Sequence, residues 1–134
     1  MREILFRGKD SDGKWHEGYY VCLNGKSHRI YTGYAETDCG DMYPDWYTVD
    51  PETVGQYTGL TDKNGNKIFE GDVVERQICD YRYFNYTVNF SFGEFELQEI
   101  KTKGKMFIGY HNECEIIGNI YDNPELLEKK YEKH

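Results

Sequence analysis

The sequence predicts a mainly β fold: a small antiparallel β-barrel, SH3-like or related, built from hairpins and followed by a short C-terminal α-helix. Three observations carry that expectation. Aromatic residues reach 16% of the 134 positions, with thirteen Tyr and seven Phe, and such side chains pack well on a pleated, half-buried surface. Turn signals recur between short apolar runs, at Asp10 to Gly13, Asn24-Gly25 and Asp62 to Gly65. Apolar residues alternate through residues 83–92, so that Phe84, Tyr86, Val88, Phe90 and Phe92 are expected on one face.

Taken in order, residues 3–8 read as a first strand, 10–13 as a turn and 14–23 as a second strand, which together make an N-terminal hairpin. A third strand is expected over 29–34. Residues 36–50 are acidic and aromatic and read as a loop; Asp38, Asp41 and Asp45 lack the spacing and the Gly of a calcium loop. Strands follow over 54–60 and 67–69, then 73–78 after the step Gly71-Asp72, then 83–92, 94–100, 105–110 and 114–121. Asn123 as N-cap, Pro124 at the first helical position and Glu125 in the first turn predict an α-helix over 124–132. At this length the chain suits one domain, 1–134, with possible sub-lobes 1–55 and 56–122.

Composition narrows the function classes. A net charge of −8 argues against a general phosphate-binding surface, which clustered Lys and Arg would drive. Cys22, Cys39, Cys79 and Cys114 form no close pair, so zinc is not indicated, and no cofactor motif is present. The first residues carry no apolar core of a signal peptide, so a cytoplasmic protein with reduced thiols is expected.

Residues 56–75 hold the clearest signal. Gly65 can adopt positive φ without steric cost, and Asp62 can accept from the turn amides, so Asp62-x-Asn64-Gly65 reads as a hairpin turn rather than a calcium-loop fragment. Gly71-Asp72 reads as a tight corner whose carboxylate satisfies backbone amides. Gly59, Asp62, Asn64, Gly65, Gly71 and Asp72 are therefore structural candidates, while Gln56, Tyr57, Thr58 and Glu70 are candidates for an interaction surface. The same grammar runs from Phe6 to Val21: an aromatic, x-Gly, an Asp-led turn, Lys, then Glu17-Gly18. Shared hairpin chemistry and duplication explain this echo equally well.

The opening residues 1–7, the block 56–65, the stretch 68–74 and the ending 117–127 (Ile-Gly-Asn-Ile-Tyr-Asp-Asn-Pro-Glu-Leu-Leu) resemble the YopX family of phage and prophage proteins. The resemblance implies a mostly β protein encoded on a bacterial mobile element. It brings no catalytic residue with it.

Nucleophilic catalysis would need a thiol beside an imidazole base. Cys114 lies near His111 and Cys22 near His28, yet both Cys sit in strand-like surroundings, where a buried structural thiol is commoner. The aromatic strand 83–92 could offer a stacking platform for single-stranded nucleic acid, but its unbroken apolar face reads better as core. The expectation is thus a non-enzymatic protein-interaction module, homo-oligomeric, with an unidentified host or phage protein partner. Nucleic-acid binding by a small barrel is the alternative, and a hydrolytic enzyme comes third.

Overall fold

The computed structural model describes residues 3–128. The chain divides into two compact units, Met1–Tyr57 and Thr58–His134, and the strands make two antiparallel sheets.

In the first unit, β1 (Phe6–Lys9), β2 (Trp15–Leu23), β3 (Ser27–Glu36), β4 (Met42–Thr48) and the start of β5 (Gly55–Thr61) lie in the order β4-β3-β2-β1-β5. Connections of five, three and five residues join β1 to β2, β2 to β3 and β3 to β4, each pair antiparallel neighbours, while β5 returns to pair with β1. Ile30 is fully buried, with Val49 almost so. A close approach between β2 and β3 depends on Gly18, where a Cβ would collide with the Tyr31 carbonyl. Between β4 and β5 a 3₁₀ turn, Pro51–Thr53, is capped by Asp50, whose carboxylate accepts from Glu52 N at 3.0 Å.

The second unit holds the end of β5 with β6 (Lys67–Phe69), then β7 (Asp72–Cys79), β8 (Arg82–Ser91), β9 (Glu94–Glu99), β10 (Lys105–Phe107) and β11 (Cys114–Asn119). The last five form a sheet in the order β10-β9-β8-β7-β11. Its core gathers Ile68, Val74, Tyr86, Val88, Leu97, Ile108 and Cys114. Each large aliphatic side chain buried there contributes about 1.5–3 kcal/mol.

Several expectations are corrected. No closed barrel forms among the described residues: β4 ends the first unit's sheet, and β10 and β11 are the borders of the second unit's five-stranded sheet. Closure would need a strand on the outer side of β11, and that side is met by the turn at Asp62 and Lys63. The segment 36–50 is not a loop throughout, because Met42–Thr48 is β4, paired with β3 across a register shift at Tyr31/Gly33. The acidic residues suggested a loop, but an outermost strand tolerates them, and tolerates Pro44 too, since only one side of it need donate to a ladder.

The expected C-terminal α-helix is a 3₁₀ turn, Pro124–Leu127; residues 129–132 of that expectation lie outside the described residues. Asn123 does not cap it, because its Oδ1 accepts from Asn119 N at 3.2 Å instead. The strand expected over 105–110 stops at Phe107, and a 3₁₀ segment, Ile108–Glu113, follows. Along β8, Tyr86 and Val88 enter the core, but Phe90 is half exposed and Phe92 lies at 95% exposure with φ +52°, in the turn to β9.

Candidate functional site

The residues named from the central block are placed by its own hydrogen bonds. Asp62 Oδ1 accepts from Asn64 N and Asn66 N, both at 2.9 Å, while Gly65 takes φ +87° and donates to Asp62 O. Its Oδ2 accepts from Ile116 N at 3.0 Å, and Lys63 N donates to Cys114 O at 2.9 Å. The turn therefore clasps β11. Burial pushes the Asp62 carboxyl up, but the amides of Ile116, Asn66 and Asn64 outweigh it and hold the group below its ordinary value. Gly71 (φ +94°) donates to Val88 O and accepts from Ile120 N, and Asp72 Oδ2 accepts from Phe69 N at 2.8 Å. Gly59 takes φ +86° within β5.

The four residues considered for an interaction surface are mostly committed to the fold. Tyr57 is buried, Gln56 pairs with Phe6, Thr58 Oγ1 donates to Ile68 O at 2.8 Å, and Glu70 is half-buried. The first unit repeats the turn but not the grip on a distant strand. Asp10 Oδ1 accepts from Asp12 N and Lys14 N, again at 2.9 Å, with Gly13 at φ +83° and His16 Nε2 2.8 Å from Oδ2. The hydrogen bond to His16 is the main influence holding Asp10 below its ordinary value.

The two cysteine–histidine neighbour pairs differ in geometry. Cys114 Sγ donates to Tyr110 O at 3.4 Å, while His111 Nδ1 donates to Thr61 O at 2.6 Å. Burial raises the Cys114 thiol to about 11, so it stays protonated at neutral pH. His28 faces Tyr20 OH at 2.7 Å through Nδ1, and its Nε2 lies 4.0 Å from Cys22 Sγ. Among the described residues no group of His, Cys, Asp and Glu is placed to hold a metal ion. A shallow depression of about 310 Å³ in the second unit is lined by Phe84, Tyr86, Glu99, Gly104, Lys105 and Met106. Its carboxylate already accepts from Lys101 N, Thr102 N and Thr102 Oγ1.

What composition alone could not locate lies on the first unit's sheet. Paired residues share a face, and residues two apart on one strand share it too. The pairings place Tyr19, Tyr31 and Trp46 in one cross-strand row, with Val21, Arg29 and Thr48 in the next. Trp15 with Lys9, and Glu17 with Arg7, extend the same face across β1. Arg7 and Lys9 approach the Trp15 ring, at 4.7 and 5.6 Å from its centroid. The Arg29 guanidinium stacks on Trp46 at 3.8 Å, and Tyr31 tilts against the same indole. The opposite face carries Gly8, Gly18, Ile30 and the stacked pair His16–Tyr47, and is the packed one. Tyr19 is 64% exposed and Trp46 38%. The signal in the sequence was only the alternation Trp15, Glu17, Tyr19, Val21; the partner strands come from register.

No helix among the described residues is long and apolar enough to cross a membrane. No curated protein matches this chain. The crystal structure of protein EF1440 from Enterococcus faecalis is similar, with 26% identity and a TM-score of 0.68, over 96% of this chain and 100% of that one. The family model described as YopX protein matches residues 5–128. With that span covering nearly all of it, the chain belongs to the YopX family.

Proposed function

We propose that this protein is a non-enzymatic interaction module, encoded on a phage or prophage and acting in the host cytoplasm, and that it binds a protein through the exposed face of β2, β3 and β4. The observation that carries the reading is the row Tyr19, Tyr31 and Trp46 with Arg29 stacked beside it. Tyr, Trp and Arg are the residues that most often dominate protein interfaces, and the rings of Tyr and Trp bury large rigid surface at little entropic cost. A β-sheet holds the rings in place before the partner arrives.

Nucleic acid is the second reading, favoured by the cations that lie between the rings. Two features weigh against it. Base stacking needs free ring faces, and here Arg29 lies on Trp46 while Arg7 and Lys9 crowd Trp15. The chain also carries a net charge of −8, which repels a polyanion.

The test is affinity capture from cells carrying the encoding phage, using the wild type beside Tyr19→Ala and Trp46→Ala. A specific partner should be retained by the wild type and weakened by each variant by about 2 kcal/mol. Self-association, which the reading includes, is measured by light scattering on the same three proteins. A strict monomer with no partner lost on substitution, or retention of oligonucleotides on a filter at low salt, would overturn the protein-binding reading.

A further inference from the structure

We infer that Arg29 is a preorganised carboxylate receptor, and that the segment bound on this face is an acidic stretch of polypeptide that places an Asp or Glu side chain against its guanidinium. The inference rests on the reading of the β2–β4 face as a protein-binding surface and names the chemistry of the partner.

Three contacts fix the group. Its Cζ lies over the Trp46 indole, 3.8 Å from the ring centroid. Nε donates to Ser27 Oγ at 3.1 Å, and Nη1 donates to Tyr31 OH at 3.1 Å. A guanidinium carries five N–H donors, so with those two used, three point elsewhere, two of them on Nη2. Among the described residues no carboxylate pairs with it.

Arg76 in the second unit supplies the contrast. It also lies over an aromatic ring, Tyr110 at 4.5 Å, but its charge is answered by Glu113 at 2.8 Å. Arg76 is thus a closed structural pair, whereas Arg29 is held in the same way with its charge unanswered. Ordering a long side chain normally costs part of the affinity of any contact it makes. At Arg29 that cost falls on the fold, and an arriving carboxylate can form the bidentate pair directly.

A carboxylate is preferred to a phosphate of nucleic acid for two reasons. The indole face that a neighbouring base would stack on is already covered by Arg29, and Glu17 stands on the same face, opposite Arg7. An acidic segment can set one carboxylate against Arg29 with its other charges spaced along flexible side chains, rather than drawing a continuous phosphate backbone past Glu17.

The experiment is an NMR titration of the full-length, ¹⁵N-labelled protein, following the Nε–H signal of Arg29, assigned by its loss in Arg29→Lys. The probes are acetyl-tetraglutamate amide, acetyl-tetraglutamine amide and oligothymidylate. Tetraglutamate should move the signal saturably and tetraglutamine should not. Arg29→Lys keeps the charge but loses the planar fork, and its affinity for tetraglutamate, read from backbone amide shifts, should fall about tenfold. Tyr31→Phe retains the cation and removes one hydrogen bond that positions it, so a smaller loss is expected; this variant keeps the test valid if Arg29→Lys folds poorly. Absence of a saturable shift, equal binding by Arg29→Lys, or tighter binding of oligothymidylate would overturn the assignment. Failure here alongside Trp46-dependent partner capture removes the carboxylate chemistry alone. Saturation here without a captured partner supports the receptor and removes the wider reading.

Discussion

At Asp62 one carboxylate accepts three backbone N–H groups from two separate segments, two within its own turn and one on β11. An amide in its place offers one acceptor and turns an NH₂ toward a donor. Asp62→Asn should therefore destabilise the protein by about 2–3 kcal/mol at neutral pH, read by urea unfolding. The sign with pH follows from the lowered carboxyl value. The stabilisation is complete above the ordinary value of 3.8 and is lost as pH falls through the lower folded value. Wild type and variant should converge in stability as the solution is acidified past that point; a gap that persists in strong acid would refute the charge-based account. The cysteines give a second test. Cys22, Cys39 and Cys79 are exposed, while Cys114 is buried with its thiol raised to about 11. Near neutral pH three thiols should react quickly with a disulfide reagent, and the fourth only in denaturant.

At the scale of elements, the hairpins that composition and turn chemistry foretold are present, and the reasons are local. Gly13 and Gly65 stand where positive φ is needed, and an Asp three residues earlier accepts from the turn. Elements set by distant partners were not legible. β4 looked like a loop because its acids weaken any local strand signal, and only pairing with β3 makes it a strand. Pro124 and Glu125 open a 3₁₀ turn as readily as an α-helix. The candidate face was hidden for the same reason. Arg29 and Trp46 meet only because the register shifts between Tyr31 and Gly33, a step no periodicity reveals. The excess of Tyr pointed toward an interface without saying where. A prediction belongs at this scale. At Gly18 any Cβ meets the Tyr31 carbonyl, which is backbone and cannot swing aside. Gly18→Ala should cost about 1–3 kcal/mol or more and disturb the β2–β3 pairing. Amide chemical shifts along both strands check this, and an unchanged spectrum would refute it.

For the molecule as a whole, net charge and local charge act at different ranges. The chain carries −8, yet the proposed face presents Arg29 with its charge unanswered. An acidic partner segment is therefore repelled at long range and attracted at contact. Screening acts on the first effect far more than on the second, because the Debye length is about 10 Å at 0.1 M salt. Association of an acidic peptide should accordingly be faster at about 0.15 M than at about 0.01 M salt, by stopped-flow fluorescence of Trp15 and Trp46 together. A steep decline with salt would mark polyanion binding instead.

The clasp at Asp62 also has a meaning for the chain among its own copies. The outer rim of a sheet is a template on which a second molecule can add a strand, and repetition of that step builds fibrils. On β11 the carbonyl of Cys114 and the amide of Ile116 already have internal partners in Lys63 and Asp62. The Asp62 turn thus works as a gatekeeper, and its loss should shorten the protein's life in solution by opening a seam for polymerisation.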